Sequence, residues 1–452
     1  MEWKRLREKI IEGTYPREQE LEELRQKYRE ISDFIEREFG MSTHFAGSAS
    51  RGTCMKNDGD LDIFILFQEE TDDLELENRG LEIGKETFQQ FGGDFEVDYA
   101  EHPYTKGEID GYEVEIVPCY GTNPENIKSS VDRTPHHSKW VKENLTEEER
   151  KDTVILKNFL DSMDLYGSSL KTQGFSGYLC EILVNHYGGF HELVKSVADW
   201  EDEKLIDPEN QHNGELSERL EKKFSDEPLK VIDPVDEERN VASVLSLENY
   251  SRFIYLCWRF RQNPGMGFFK DEERNYSEFR IKQELKRRSD FLLLEFGSIE
   301  EVDDIIYPQM RKTMRRLNNE LEKKEFRIYE SGFYVDQKTK IFFELDRELP
   351  EMREMKGPKV FHSEEHLSEF TSKYENVFIK KDRMFAKTER KFTDAKRFLE
   401  AFLSDDLEGK GIPGNVAEKL ENYSFKDPLE SDSEWLNYLG EKLHLQYEGE
   451  NE

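Results

Sequence analysis

The amino-acid sequence predicts an α+β multidomain chain, and three observations carry the prediction. Extended and amphipathic helical patterns alternate up to about residue 145, helical patterning dominates from 146 to about 265, and strands return around one long helix in the remainder. A chain of 452 residues is also longer than one hydrophobic core usually organises. We therefore expect domains over 1–145, 146–265 and 266–452, the last with a distinct tail segment at about 345–395.

Taken in order, Leu21, Leu24, Tyr28, Ile31 and Ile35 recur at steps of three and four, which predicts a helix over 17–39 that stops at Gly40. "LDIFILF" (61–67), "FEVDYAEH" (95–102) and "YEVEIVPCY" (112–120) read as strands, with a helix over 79–91 between the first two. Thr146, three residues before Glu149, is a capping box opening the helix that contains "VILKNFLDSM". Helical patterning continues over 174–200. Residues 201–230 are acidic and polar with scattered Asn, Gly and Pro, which suits an exposed connection or insertion. A helix resumes over 243–263, and a boundary falls near "NPGMGFF" (263–269). Beyond it, "DFLLLEF" (290–296) and the stretch 327–346 read as strands around a helix over 302–326, an arrangement used by RNA-contacting sheets. The terminal "EGENE" reads as a frayed end.

With 65 basic against 99 acidic residues the formal net charge is −34, which repels phosphate unless basic residues gather locally. On charge alone the chain is not expected to bind nucleic acid. The excess of acid instead suits a salty cytoplasm. Yet basic residues do cluster, at 280–288, 309–317 and 380–392, the last with Phe385 and Phe392. In the second cluster Arg311 with Arg315 and Lys312 with Arg316 stand four apart, in two neighbouring rows of one helix. Cys54, Cys119, Cys180 and Cys257 lie far apart with no metal-ligand spacing, as expected of separate reduced thiols. The N-terminus lacks a signal-peptide core and no stretch reaches membrane-spanning length, so a cytoplasmic protein without membrane contact is expected.

Chemistry concentrates in "GSASRGTCMKNDGDLDIF" (47–64). Asp60 and Asp62 are two apart, so an extended chain carries both carboxylates on one face. Glu113 and Glu115 repeat the spacing in the later strand. If the two strands pair, three carboxylates converge into a hard-oxygen site suited to Mg²⁺ and substrate phosphates. Upstream, Gly47 permits close approach of backbone to a ligand, the Ser48 hydroxyl can donate to a phosphate, and Arg51 adds a charged donor.

At these residues the chain resembles a family. "GSASRGTCMKNDGDLDIFILF", "YAEHPYTKGEIDGYEVEIVPCY", "NIKSSVDRTPHHSKW", "LYG…GFSGYLCE" and "VIDPVDEERNVA" occur in one order over about 17–270, with weaker likeness through "GFF" and "YPQ". Together they resemble the archaeal, class I CCA-adding enzymes, tRNA nucleotidyltransferases of the polymerase-beta-like superfamily. The resemblance implies a polymerase-beta-like head with a mixed sheet, a helical neck, and an α+β (ferredoxin- or RRM-like) body with a tail that binds the tRNA acceptor stem. It implies template-independent addition of C, C and A to the tRNA 3′ end from CTP and ATP, with pyrophosphate released. Asp60, Asp62 and Glu115 would hold Mg²⁺ and form the catalytic set. The family often carries Asp at the third of these positions, so Glu113 stands as the next candidate.

By the same resemblance Ser48 and Arg51 would meet the triphosphate, His137, Lys157 and Tyr166 the phosphates and sugar, and Arg239 the base. Each of the last four also has an ordinary reading, as a surface histidine, a solvated lysine, a core tyrosine and an arginine paired with neighbouring acids. A poly(A) polymerase or another nucleotidyltransferase of this superfamily, or a non-catalytic RNA-binding relative, is the alternative. The assembly, single chain or homodimer, is left open.

Overall fold

A computed structural model describes residues 3–99, 101–269, 276–361, 363–429 and 432–444. The terminal "EGENE" lies outside the described residues. The chain divides into two compact units, 1–272 and 273–452. Among the described residues no helix is long and apolar enough to cross a membrane, and all four cysteines are free and buried.

The first unit holds a five-stranded mixed sheet. Its strands are β1 (Thr43–Phe45), β2 (Leu61–Phe67), β3 (Asp94–Tyr99), β4 (Pro103–Ile109) and β5 (Tyr112–Tyr120), ordered β1-β2-β5-β4-β3. β2 and β5 run parallel and every other pair is antiparallel. Alternation along the central strands separates two faces. Leu61, Ile63, Ile65 and Phe67 of β2 with Val114 and Ile116 of β5 point one way. They pack on Leu24, Ile31 and Ile35 of the helix Glu18–Phe39 and on Leu76, Ile83 and Phe88 of the helix Asp73–Phe91. The opposite face carries Asp62, Phe64, Glu115 and Val117, of which Phe64 and Val117 close a small apolar patch with Ala46 and Cys119.

The second helix begins six residues before the periodic segment that announced it, because the Asp72 side chain accepts from Glu75 N and caps an acidic first turn. The segment expected as one strand over 95–102 ends at Tyr99, and β4 follows as a separate strand. "PYTKGEI" has Gly107 inside it and a weak alternation, which hid it. Gly107 belongs there because a Cβ would strike the Asp94 carbonyl of the neighbouring strand.

The rest of this unit is a helical core. Helices Arg133–Asn144, Glu147–Asp161, Gly177–Tyr187, Phe190–Val197 and Leu247–Gln262 pack together, and the N-terminal helix Trp3–Thr14 buries Leu6 and Ile10 among them. The capping box at Thr146 and Glu149 is formed, each donating backbone N–H to the other's side chain. Phe159, Phe190, Phe260 and Phe269 meet ring to ring at centroid distances of 5.5–5.9 Å. Residues 201–230 are more ordered than an exposed connection. Strand Lys204–Ile206 pairs with strand Leu229–Asp233, helix Glu218–Lys223 lies between them, and Trp140 Nε1 donates to Glu209 Oε1 at 2.7 Å.

The second unit is α+β, as its patterning predicts. Strands Ile328–Tyr334, Lys338–Leu345, Asp290–Gly297 and Ser424–Lys426 form an antiparallel sheet in that order. Helix Asp303–Lys323 covers one face with Ile306, Met310, Leu317 and Leu321, while Ile281, Trp435 and Leu439 cover the other with Leu293 and Phe342. A separate three-stranded sheet, Met352–Lys359, Arg383–Glu389 and Val377–Lys380, carries helix Glu364–Lys373.

Candidate active site

The register of β2 against β5 sets Asp62 directly opposite Glu115. Cross-strand partners share a face, so the two carboxylates are neighbours. β4 then places Lys106 opposite Glu115, and β3 places Glu96 opposite Lys106, extending a charged row over the sheet. Lys106 bonds Asp98 at 3.1 Å. Asp60 precedes the strand and has no partner in the β2–β5 register, which begins at Leu61 and Val114. It is exposed at the edge of the face, where it lines a groove with Glu113, Glu115 and Lys106.

Above Asp62 the chain turns into the short helix Gly47–Arg51. Gly47 has φ +65°, and a Cβ there would overlap Asp62 Oδ2. Glycine is thus required both by the backbone and by the carboxylate beneath it. Ser48 follows, half-buried, in the first turn.

Electrostatics leave these acids short of cationic partners. Burial pushes the Asp62 carboxyl up to about 6 against the pull of Arg51, and Asp60 adds to the rise. Burial pushes Glu115 up to about 7, with repulsion from Asp62 next and only Lys106 opposing. The Asp60 carboxyl, though its residue is exposed, is partly desolvated at the edge of the face and is raised by that and then by Asp58 and Glu113. No three acidic, His or Cys side chains among the described residues already stand at metal-binding spacing. Even so, two opposed carboxylates under a glycine cradle, each raised by burial and repulsion, are the donor set a divalent cation relieves. Asp60 and Glu113 lie at the rim of the same groove.

The other expected residues fall into two groups, each built on a buried acid that inspection of the sequence did not single out. In one, Glu181 is 0% exposed and its Oε1 accepts from Arg51 Nε at 2.8 Å and from Thr53 Oγ1. Arg51 is itself buried and donates also to Ser138 Oγ at 3.3 Å, so its guanidinium is tied into the fold. Lys157, 1% exposed, donates to Thr53 O at 2.8 Å and lies 5.9 Å from the Tyr166 ring centre. Burial lowers the Lys157 ammonium despite the pull of Glu181, and burial raises the Tyr166 phenol.

In the other group, Asp233 is 0% exposed and accepts from His137 Nε2 at 2.9 Å and Arg239 Nη1 at 2.7 Å. Tyr178 stacks on His137 with ring centres 4.0 Å apart. Arg51 joins the groups electrostatically, being felt by Asp62, Lys157, Tyr166 and His137. A usable signal for the two acids existed: "YLCEILV" and "VIDPV" each place one acid in an apolar run, where burial demands partners.

Comparison with known proteins bears on this arrangement. Residues 21–137 match the nucleotidyltransferase domain family, 151–270 the second domain of tRNA nucleotidyltransferase, and 287–424 the C-terminal domain of CCA-adding enzymes. A CCA-adding enzyme of Methanocaldococcus jannaschii is 39% identical over 418 residues, covering 90% of this chain and 92% of that one. One from Archaeoglobus fulgidus is 35% identical over 435 residues, covering 93% and 96%. Among solved structures, the Cid1 poly(U) polymerase aligns with 60% of this chain and 99% of its own at 14% identity and a TM-score of 0.49.

Proposed function

This chain belongs to the CCA-adding enzymes, tRNA nucleotidyltransferases, and on that premise we propose how its residues divide the reaction. The enzyme adds C, C and A to the 3′ end of tRNA from CTP and ATP without a nucleic-acid template. The observation that carries the assignment of the centre is the register pairing of Asp62 with Glu115 beneath Gly47.

In this reading Asp62, Glu115 and Asp60 hold divalent cations, with Mg²⁺ the ion that suits carboxylate and phosphate oxygens best. Bound there, such ions would supply positive charge to neutralise the triphosphate and to lower the pKa of the ribose 3′-OH. Ser48, half-buried after Gly47, donates its hydroxyl to the terminal phosphates. Arg51, held by Glu181 and Ser138, acts on the triphosphate side through its field rather than as a free donor. Lys157 and Tyr166, held under the same loop, line the phosphate and sugar side, with His137. Arg239, 36% exposed at its side chain, presents its remaining guanidinium donors to the base edge. Residues 1–145, 146–265 and 266–452 serve in this scheme as catalytic head, nucleotide-selecting neck and tRNA-binding body, with a tail at about 345–395.

tRNA as substrate and four buried free thiols suit the cytoplasm. Light scattering distinguishes a single chain from a homodimer. The decisive assay incubates the protein with Mg²⁺, each NTP singly and in combination, and tRNA lacking its 3′ end, and then sequences the product termini. Two C residues followed by A are expected, and a homopolymeric tail would overturn the activity. Glu115→Gln should abolish addition while tRNA binding survives; near-normal turnover would move the third ligand to Glu113.

A further inference from the structure

Asp233 ends the strand Leu229–Asp233 and enters the turn to the strand Asp236–Asn240, which carries Arg239. Its carboxylate meets four donors. Oδ2 accepts from Arg239 Nη1 at 2.7 Å and His137 Nε2 at 2.9 Å; Oδ1 accepts from Val235 N at 3.0 Å and Tyr178 Oη at 3.2 Å. Four donors fill the acceptor capacity of a carboxylate, so the side chain has one arrangement available to it. The backbone beside it is fixed as well, because Gln211 Nε2 donates to the carbonyls of Asp233 and Pro234 at 3.3 and 2.9 Å.

The donors come from three separate parts of the chain. His137 lies on the helix Arg133–Asn144, Tyr178 on the helix Gly177–Tyr187, and Arg239 on the hairpin. Among the described residues, Arg239 shares a hydrogen-bond network with His137 only through Asp233. A guanidinium on a flexible side chain reads a base edge only if its fork is held at a fixed angle, since a misdirected fork satisfies uracil or guanine as readily as cytosine or adenine. For His137 the bond at Nε2 fixes which nitrogen is engaged and leaves Nδ1 to a second partner.

We infer that Asp233 is a specificity-determining positioning residue, which orients Arg239 and His137 so that the site accepts cytosine and adenine and rejects uracil and guanine. The inference rests on the proposed meeting of Arg239 with the base, and it adds the buried group through which that arginine is aimed. Asp233 itself touches no substrate.

The test uses the full-length chain with tRNA lacking its 3′ end or ending in CC. kcat and KM are measured for CTP, ATP, UTP and GTP in the wild type, Asp233→Asn, Arg239→Ala and the double variant. Asn keeps the shape but has one acceptor oxygen, so it cannot receive all four donors. Asp233→Asn is expected to raise KM for CTP and ATP by roughly tenfold or more, with a smaller fall in kcat, and to lose a similar factor of preference over UTP and GTP. Because base preference acts through the one guanidinium while His137 serves the phosphate and sugar side, the double variant should discriminate between bases no worse than Arg239→Ala.

If Arg239→Ala keeps the preference, the reading of Arg239 fails. If Arg239→Ala relaxes it while Asp233→Asn does not, or if the two losses multiply, the role of Asp233 alone is overturned. Should Asp233→Asn melt below the assay temperature, Tyr178→Phe removes one anchor of Asp233 and keeps the stacked ring. It should raise KM for CTP and ATP in the same direction with tRNA affinity unchanged, and wild-type nucleotide kinetics there would overturn the proposal.

Discussion

Gly47 is the residue on which the carboxylate pair most directly depends. Its φ of +65° disfavours any side chain, and a Cβ would occupy the place of Asp62 Oδ2. Gly47→Ala must therefore move either the loop or the carboxylate. A displacement of about 1 Å at a reacting centre costs on the order of 100-fold in rate, so single-turnover addition should fall by at least ~100-fold. Thermal melting should show a folded protein destabilised by roughly 1–3 kcal/mol. Wild-type turnover in this variant would remove Asp62 from the catalytic set.

His44 gives the pH dependence its clearest sign. Burial, then Lys142 and His136, lower its imidazole from 6.5 to about 4. The fold holds the ring neutral where the unfolded chain takes up a proton, so stability falls as pH drops from about 6.5 to about 4 and is unaffected above that window. His44→Gln should flatten the fall in melting temperature between pH 6.5 and 4.5. An unchanged profile would place the acid sensitivity elsewhere, with His137 next, because burial lowers its imidazole as well. The burial of Asp233 and Glu181 was legible in their apolar runs but their partners were not: the donors lie 2 to 130 residues away in the chain, and periodicity reports faces, not partners.

Strand registry made the centre legible and strand ends did not. Alternation alone puts Asp62 on the face opposite Ile63, and Glu115 on the face opposite Val114 and Ile116. It could not say that β2 stops short of Asp60, since strand ends depend on which neighbour pairs there. The same limit hid β4, whose pairing with β3 and β5 rather than its composition makes it a strand.

In the second unit, the helix Asp303–Lys323 sorts the predicted basic rows. Arg311 lies 5.9 Å from the Tyr307 ring centre and Arg316 bonds Glu320 at 3.2 Å, whereas Lys312 and Arg315 are exposed. Phosphate contact is therefore best tested on the latter pair. Lys312→Ala with Arg315→Ala should weaken tRNA binding and flatten the slope of log K against log salt by about 2, one for each lost contact. Equal slopes would make this face an ordinary solvated one.

The whole chain then poses the question of how 34 net negative charges coexist with an RNA substrate. Many acids are paired at the surface: Lys151 bonds both Glu147 and Glu148, and Arg25 both Glu18 and Glu22. Such pairs are worth little, about 0–1 kcal/mol each, and salt weakens them. The unpaired excess repels itself and the RNA over longer distances, and salt relieves that too, since the Debye length shrinks from about 10 Å at 0.1 M to about 3 Å at 1 M. Because acids outnumber bases 99 to 65, relief should exceed loss. Raising KCl from 0.05 to 1 M is thus expected to raise the melting temperature. For tRNA, screening of the net repulsion opposes the release of Lys and Arg from phosphate, so affinity should fall with salt less steeply than the number of contacting cations implies. Calorimetry and tRNA titration over the same KCl series measure both. A melting temperature that falls throughout would mean that the local pairs, not the net charge, govern the electrostatics of this fold.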